Sequence, residues 1–356
     1  MGKITNRVST LSLAGLILLS GFTQSSKANT GLSDAKIKGE WFISYVKEKA
    51  KSSQFKVERG YFKVVKRINS WLSGNITMDV HDEGGSQDVR LKYLMAKIKT
   101  PDIGILRDSN IEVGLVHTPW LDFEEHINMY RCEGTMFAER NGLFNSGDFG
   151  VTYLALLGGK ISQSYQKVVS PYYPGKYGSV SIGIYNGGGY HADEENNNKA
   201  LEGRITIRPL PYLLPGLQIS YFGVLGKGNT SNAPDWKVDL AFISYQTRLY
   251  TFTFQYYKGQ GDFKGGDEKH KRGWSSFLEV KLFNYLTELP LSFFGRYDYF
   301  DPDTSNKEDQ ERRYILGIAY HFEKPYQNML VFSYDKSCTE LKKSNYVAKV
   351  TLKLSF

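Results

Sequence analysis

YVAKVTLKLSF, residues 346–356, alternates without a break. Tyr346, Ala348, Val350, Leu352, Leu354 and Phe356 fall on one face. Val347, Lys349, Thr351, Lys353 and Ser355 fall on the other. A period of two is that of a β-strand whose faces meet different surroundings. The same pattern recurs upstream. Tyr250, Phe252, Phe254 and Tyr256 oppose Thr251, Thr253 and Gln255, and Trp236, Val238, Leu240 and Phe242 oppose Lys237 and Asp239. Sixteen such segments can be read, at 39–47, 55–67, 71–80, 89–99, 111–117, 148–157, 178–186, 201–208, 216–225, 236–246, 249–258, 274–283, 290–300, 312–322, 328–336 and 346–356. One alternating strand fits a soluble sandwich as well as a membrane barrel. Sixteen with this many aromatic faces exceed what a two-layer core can hide. The expected fold is therefore all-β, a transmembrane antiparallel barrel of about 16 strands, with the apolar faces toward lipid and the polar faces toward the lumen.

Composition agrees with this reading. The chain carries 25 Tyr, 21 Phe and 35 Gly, yet its mean hydropathy is −0.40. Beyond residue 28 no apolar run reaches the ~18 residues a spanning helix needs. The first residues read as an export signal: Lys3 and Arg7, then LSLAGLILLSG at 11–21, then Ser26-Lys27-Ala28 as a small-x-small cleavage site. Residues 1–28 are thus expected to be removed, leaving one barrel domain at 29–356. Lys3, Arg7 and Lys27 leave with the signal and no acid does, lowering the formal charge from +8 to +5. No basic block suggests a nucleic-acid partner. Cys132 and Cys338 cannot form a disulfide framework, and whether they pair with each other is left open.

The connections alternate in length. Short ones follow several even-numbered segments, at 68–70, 209–215, 247–248, 284–289 and 323–327. Longer polar ones follow odd-numbered segments, at 187–200, 259–273 and 301–311. Short inner turns and long outer loops are the barrel pattern. The connection at 158–177 is long where a turn belongs, and the pattern gives no account of it. The longest connection runs from 118 to 146. Thr118-Pro119 reads as a helix start, with Asp122, Glu124 and Glu125 in the first turns, where carboxylates suit the helix dipole. Its Leu121, Phe123, Ile127, Met129, Met136, Phe137, Leu143 and Phe144 need an apolar partner.

The stretch GLVHTPWLDFEEHIN…EGTMFAERNG resembles the third outer loop of bacterial outer-membrane porins, in particular the phosphate-selective porin O and P family. Gly114, Pro119-Trp120, Glu124-Glu125 and Met136-Phe137-Ala138-Glu139-Arg140 carry the likeness, over about thirty residues. His117 departs from it, standing where a fixed positive charge is expected. The resemblance implies an inward-folded constriction loop at 118–147, bearing Glu124, Glu125, Arg131, Glu139 and Arg140. It also implies a homotrimer in outer-membrane lipid, and recognition of the terminal Phe356 by the barrel assembly machinery.

Alternation places Arg59, Lys63, Arg90, Lys92, Arg204, Arg208, Lys237, Lys281, Arg296, Arg313, Lys349 and Lys353 in the lumen. Against them stand Asp79, Glu112, Glu202, Asp239, Glu279 and Asp298, with the second and fourth segments the hardest to phase. Of the basic set, Arg59, Lys63, Arg90, Lys92, Arg204 and Arg296 are expected to line the pore. A surplus of fixed positive charge in a narrow channel concentrates anions. Neither GxSxG nor HExxH occurs, the six histidines are scattered, and no cofactor or metal is implied. Asp193, Glu194, Glu195 and Asn196–Asn198 offer oxygens to calcium, but without a calcium-loop pattern. The expected function is a passive channel for small hydrophilic solutes, anion-preferring, with phosphate-like anions among its solutes. The alternatives are a channel specific for another small solute and, behind that, an outer-membrane barrel enzyme.

Overall fold

The alternation becomes sixteen strands: β1 (Lys36–Glu48), β2 (Gln54–Arg67), β3 (Leu72–Glu83), β4 (Ser86–Lys99), β5 (Leu106–His117), β6 (Gly147–Leu157), β7 (Gly178–Tyr185) and β8 (Ala200–Ile207), then β9 (Leu217–Lys227), β10 (Asp235–Gln246), β11 (Tyr250–Gln260), β12 (His270–Lys281), β13 (Leu291–Asp301), β14 (Glu311–His321), β15 (Met329–Thr339) and β16 (Asn345–Ser355). All sixteen expected segments overlap these strands. β5 and β12 begin earlier than the apolar pattern showed, at Leu106 and His270. The computed structural model describes residues 35–83, 86–282, 289–322, 325–339 and 344–356; the expected signal at 1–28 lies outside them.

Each strand pairs antiparallel with its sequence neighbours, and β1 closes on β16. Closure satisfies the backbone groups that an open sheet would leave at two edges. On β11 the aromatics Phe252, Phe254 and Tyr256 are exposed, while Thr251, Thr253 and Gln255 are buried. Apolar groups therefore face outward and polar groups inward.

β10 reverses that rule and corrects the expectation. Trp236, Val238, Leu240 and Phe242 are its buried face, and Lys237 and Asp239 point outward. The reason lies in the lumen, where the 118–146 segment offers an apolar surface that this face covers. The phase of β4 depends on a bulge. Thr77 pairs with Tyr93 but Met78 with Leu91, leaving Lys92 as the extra residue. A bulge of this kind re-aims side chains; Lys92 and Tyr93 are both buried and Leu94 is exposed.

The start of β1 and Phe356 meet at one rim. Phe356 exchanges backbone hydrogen bonds with Gly39 at 3.0 and 3.1 Å, and its ring stands edge-on to Trp41 at 5.5 Å. A Cβ on Gly39 would lie 2.4 Å from the Phe356 ring, so the terminal aromatic needs glycine beneath it. Connections after even-numbered strands lie at this terminal rim. Cys132 and Cys338 are both free.

Candidate functional site

The 118–146 segment leaves the wall through a hydrogen-bonded neck. The Thr118 amide donates to the Ser146 carbonyl at 3.2 Å, and its hydroxyl to the Asn145 carbonyl at 2.7 Å. Thr118 therefore closes the loop and does not cap a helix, as its spacing had suggested. Helix α1 (Leu121–Glu125) starts two residues later than that reading placed it, with Trp120 at its N-cap position and no side-chain cap among the described residues. The segment continues through a 3-10 turn, Arg131–Glu133, and helix α2 (Phe137–Arg140).

Its apolar side chains pack on two parts of the inner wall. Trp120, Phe123, Leu143 and Phe144 join Phe222 and Val224 of β9 and Trp236, Leu240 and Phe242 of β10. The Trp120 ring lies 5.5 Å from Phe222 and 5.3 Å from Phe242. Farther along, Tyr130 stacks on Phe294 of β13 at 4.1 Å and donates to Glu279 of β12 at 2.8 Å. Full burial of a side chain such as Phe123 contributes roughly 1.5–3 kcal/mol, so several together hold the segment in place.

The five charged residues expected on this loop divide into two groups. Arg131 is ion-paired to Glu125 at 3.0 Å and to both oxygens of Glu139. Burial would raise the Glu139 carboxyl, but Arg131, and then Lys92, hold it below its ordinary value. Glu124 and Arg140 serve as anchors. Arg140 pairs with Asp298 of β13 at 2.8 Å. Glu124, expected at the constriction, is buried against the wall, where it accepts from the Trp120 indole at 2.7 Å and Gln255 at 3.1 Å. Burial pushes its carboxyl from 4.5 up to about 7, against the pull of Arg296 and those two donors.

A raised acid favours the folded state most where it is protonated. Glu124 therefore supports docking fully below about pH 4.5 and ceases to do so as pH rises through 7. The Gln255 amide oxygen has no partner among the described residues, so an amide at 124 can be matched by turning Gln255 over. Glu124→Gln should thus leave the melting temperature unchanged at pH 4.5 and raise it relative to the wild type at pH 8.5. Equal differences at both values would contradict this.

Across from the loop stands the β2–β4 wall. Arg59 and Arg90 both pair with the fully buried Asp79, at 2.6 and 3.1 Å. Lys92 lies over the Tyr61 ring at 4.5 Å, in electrostatic reach of Glu125 and Arg131. Lys63 faces a cavity of about 1150 Å³ between this wall and the loop, open toward the terminal rim. Lysine and arginine side chains lining it number eight, against three carboxylates. His117 does not stand free at the loop's entrance: its Nδ1 is 2.8 Å from Glu112 and its ring lies on Tyr93 at 4.1 Å.

Arg204 and Arg296 depart from the expected pore lining. The Arg204 guanidinium donates to the Pro119 carbonyl at 2.9 Å and lies on the Phe123 ring at 4.1 Å. Arg296 pairs with Asp298 at 2.7 Å and donates to the Thr135 carbonyl at 3.0 Å. Both point inward as alternation requires, but the loop covers them and they act as its moorings.

Two features escaped the sequence reading. Ser292 and His321 meet at 2.9 Å on the inner wall. The Tyr326 amide donates to His321 Nδ1 at 3.2 Å, so Nε2 carries the proton toward Ser292. That tautomer cannot take the serine proton, and both residues are buried. The other is the fold of the 158–177 connection, of which the sequence marked only the length. In the 187–200 loop, Asn196 donates to the Gly228 and Thr230 carbonyls and Asn229 donates to the Asp193 carbonyl, tying that loop to the 228–230 turn. Among the described residues no group of three or more His, Cys, Asp or Glu side chains could hold a metal.

No family model matches the chain, and no curated protein matches it in sequence. Solved structures do match in shape. OmpF of Salmonella typhi, in complex with daunomycin, superposes with a TM-score of 0.60 at 10% identity, covering 90% of this chain and 97% of that one. The anion-selective porin of Comamonas acidovorans gives 0.57 at 12% identity, over 90% and 99%. OmpT of Vibrio cholerae, an outer membrane protein solved in a trimer form, gives 0.56 at 12%, over 90% and 99%. At these identities the likeness defines the fold, and the chain is a closed sixteen-stranded barrel of the kind porins adopt.

Proposed function

We propose that this protein is a passive, anion-preferring channel of an outer membrane, constricted by its 118–146 segment. One observation carries the reading: a cavity of about 1150 Å³ remains between the loop and the β2–β4 wall, and its lining is basic by eight side chains to three. Within such a low-dielectric channel, fixed positive charge raises the local anion concentration. Lys63 and Lys92 supply part of that field, and Glu125 and Glu139 with Arg131 form the opposing edge.

Kinship with the phosphate-selective porins rests on the loop motif, and phosphate-like anions are the solutes it suggests. His117, engaged by Glu112, leaves the entrance without the fixed cation such selectivity calls for. The Ser292–His321 pair, with the wrong tautomer, gives no support to an enzyme. Liposome swelling tests the reading. Vesicles holding the pure protein should admit small sugars and organic anions at rates that fall steeply with solute size. Impermeable vesicles, or hydrolysis of an added ester or peptide, would overturn it.

Assembly is the second expectation. The fold and the trimer form of one structural neighbour support a homotrimer. The protein should migrate as a trimer in detergent gels when unheated and as a monomer after boiling. Migration as a folded monomer after gentle extraction would contradict trimerisation.

A further inference from the structure

The connection between β6 and β7 behaves as a second loop. It leaves the terminal rim through a neck in which the Ile161 amide donates to the Pro174 carbonyl at 2.7 Å and the Lys176 amide to Gly159 at 2.8 Å. Lys160 and Gly175 form a bridge there. Above the neck, Ser162 caps a helical turn, α3 (Gln163–Val168), by accepting from the Tyr165 amide at 3.4 Å. Arg208 secures the base, donating to the Gly175 carbonyl at 3.2 Å with its guanidinium over the Tyr165 ring.

The tip does not turn out into solvent. Tyr173 donates to Asp122 at 2.5 Å and stands edge-on to Phe123 at 5.1 Å, so it is latched to helix α1 of the other loop. Tyr172 packs on His126 at 3.9 Å. Arg204 of the wall lies over both Phe123 and Tyr173, joining the two segments. The remaining face of the tip is left toward the basic cavity, with Val168 at 55% and Tyr172 at 44% exposure. Tyr172 stands within electrostatic reach of Lys353 and Glu40, which belong to strands β16 and β1.

We propose that 158–177 is a second constriction, entering from the terminal rim and meeting the first loop inside the barrel. This rests on the channel reading above. A solute that clears the first loop must then pass between the Val168–Tyr172 tip and the lysines of β1, β2 and β16. The length of this connection, which breaks the short-turn pattern, is thereby explained: a turn of ordinary length could not reach Asp122. The tip narrows the path by bulk, and its size sets the flow.

Replacing residues 162–173 by Asn-Gly keeps the neck and removes the tip. Single-channel conductance should then rise about twofold or more, the passage being widened where bulk limits it. Two milder variants guard against misfolding. Tyr172→Ala should raise conductance and Tyr172→Trp should lower it, each in protein that stays trimeric and heat-modifiable. Opposite shifts from the two Tyr172 variants support the second constriction even if the deletion fails to fold. A wild type that conducts, with both Tyr172 variants indistinguishable from it, would overturn the second constriction and leave the channel intact. A wild type without conductance would remove the channel reading itself.

Discussion

Excision of residues 120–142, with the neck rejoined by a short Gly-Ser linker, should raise single-channel conductance several-fold. The effect is one of volume. Trp120, Leu121, Phe123, Met136 and Phe137 are fully buried inside the barrel, against wall residues that would otherwise face water. Removing them opens the space they fill. It also exposes Phe222, Trp236, Leu240 and Phe242 to the lumen, so the variant should melt at a lower temperature as well. The barrel itself should persist, because every strand keeps its two neighbours and the sheet stays closed. Unchanged conductance in a folded variant would mean that the segment does not limit flow.

The second large effect concerns charge. Neutralising Lys38, Lys63 and Lys92 to Gln should move the reversal potential in a salt gradient toward cation preference. All three line the basic cavity. An unpaired charge about 4 Å from an ion in water is worth about 1 kcal/mol, and screening reduces this as the Debye length shrinks from about 30 Å at 0.01 M salt to 3 Å at 1 M. The shift should therefore be larger in dilute salt. Arg59 and Arg90 are unsuitable for the same test. Removing both would strand the fully buried Asp79 without a partner, a loss of stability that would obscure selectivity. If the triple variant leaves the reversal potential where it was, the field comes from elsewhere in the lumen.

The strands were legible because their environment differs on the two faces, and period two records that difference directly. What alternation cannot say is which face is inside. On β11 the apolar face is outside, and on β10 it is inside, although both alternate equally well. The difference is made by a loop more than ninety residues upstream, whose Trp120 and Phe144 turn part of the lumen into a core. The same loop converts Arg204 and Arg296 from expected pore lining into anchors. Glu124 was read from its place on a helix, whereas its contacts are with an indole and a glutamine across the barrel. The β4 bulge at Lys92 is another such case, since one extra residue shifts the phase of all that follow. The excess length of 158–177 was a visible signal, and Tyr172 and Tyr173 within it were the residues to weigh. Their partners, His126 and Asp122, lie in a different connection, and nothing in either stretch alone announces the pairing.

The central claim is that this barrel conducts passively through a narrow basic passage. It is tested most directly by recording the purified wild-type trimer in a planar lipid bilayer under a potassium chloride gradient. Stable current steps are expected, in groups of three, with a reversal potential on the chloride side of zero. A heat-modifiable trimer that inserts and carries no current, or one whose reversal potential lies on the potassium side, would contradict it: the first outcome removes the channel, the second its anion preference.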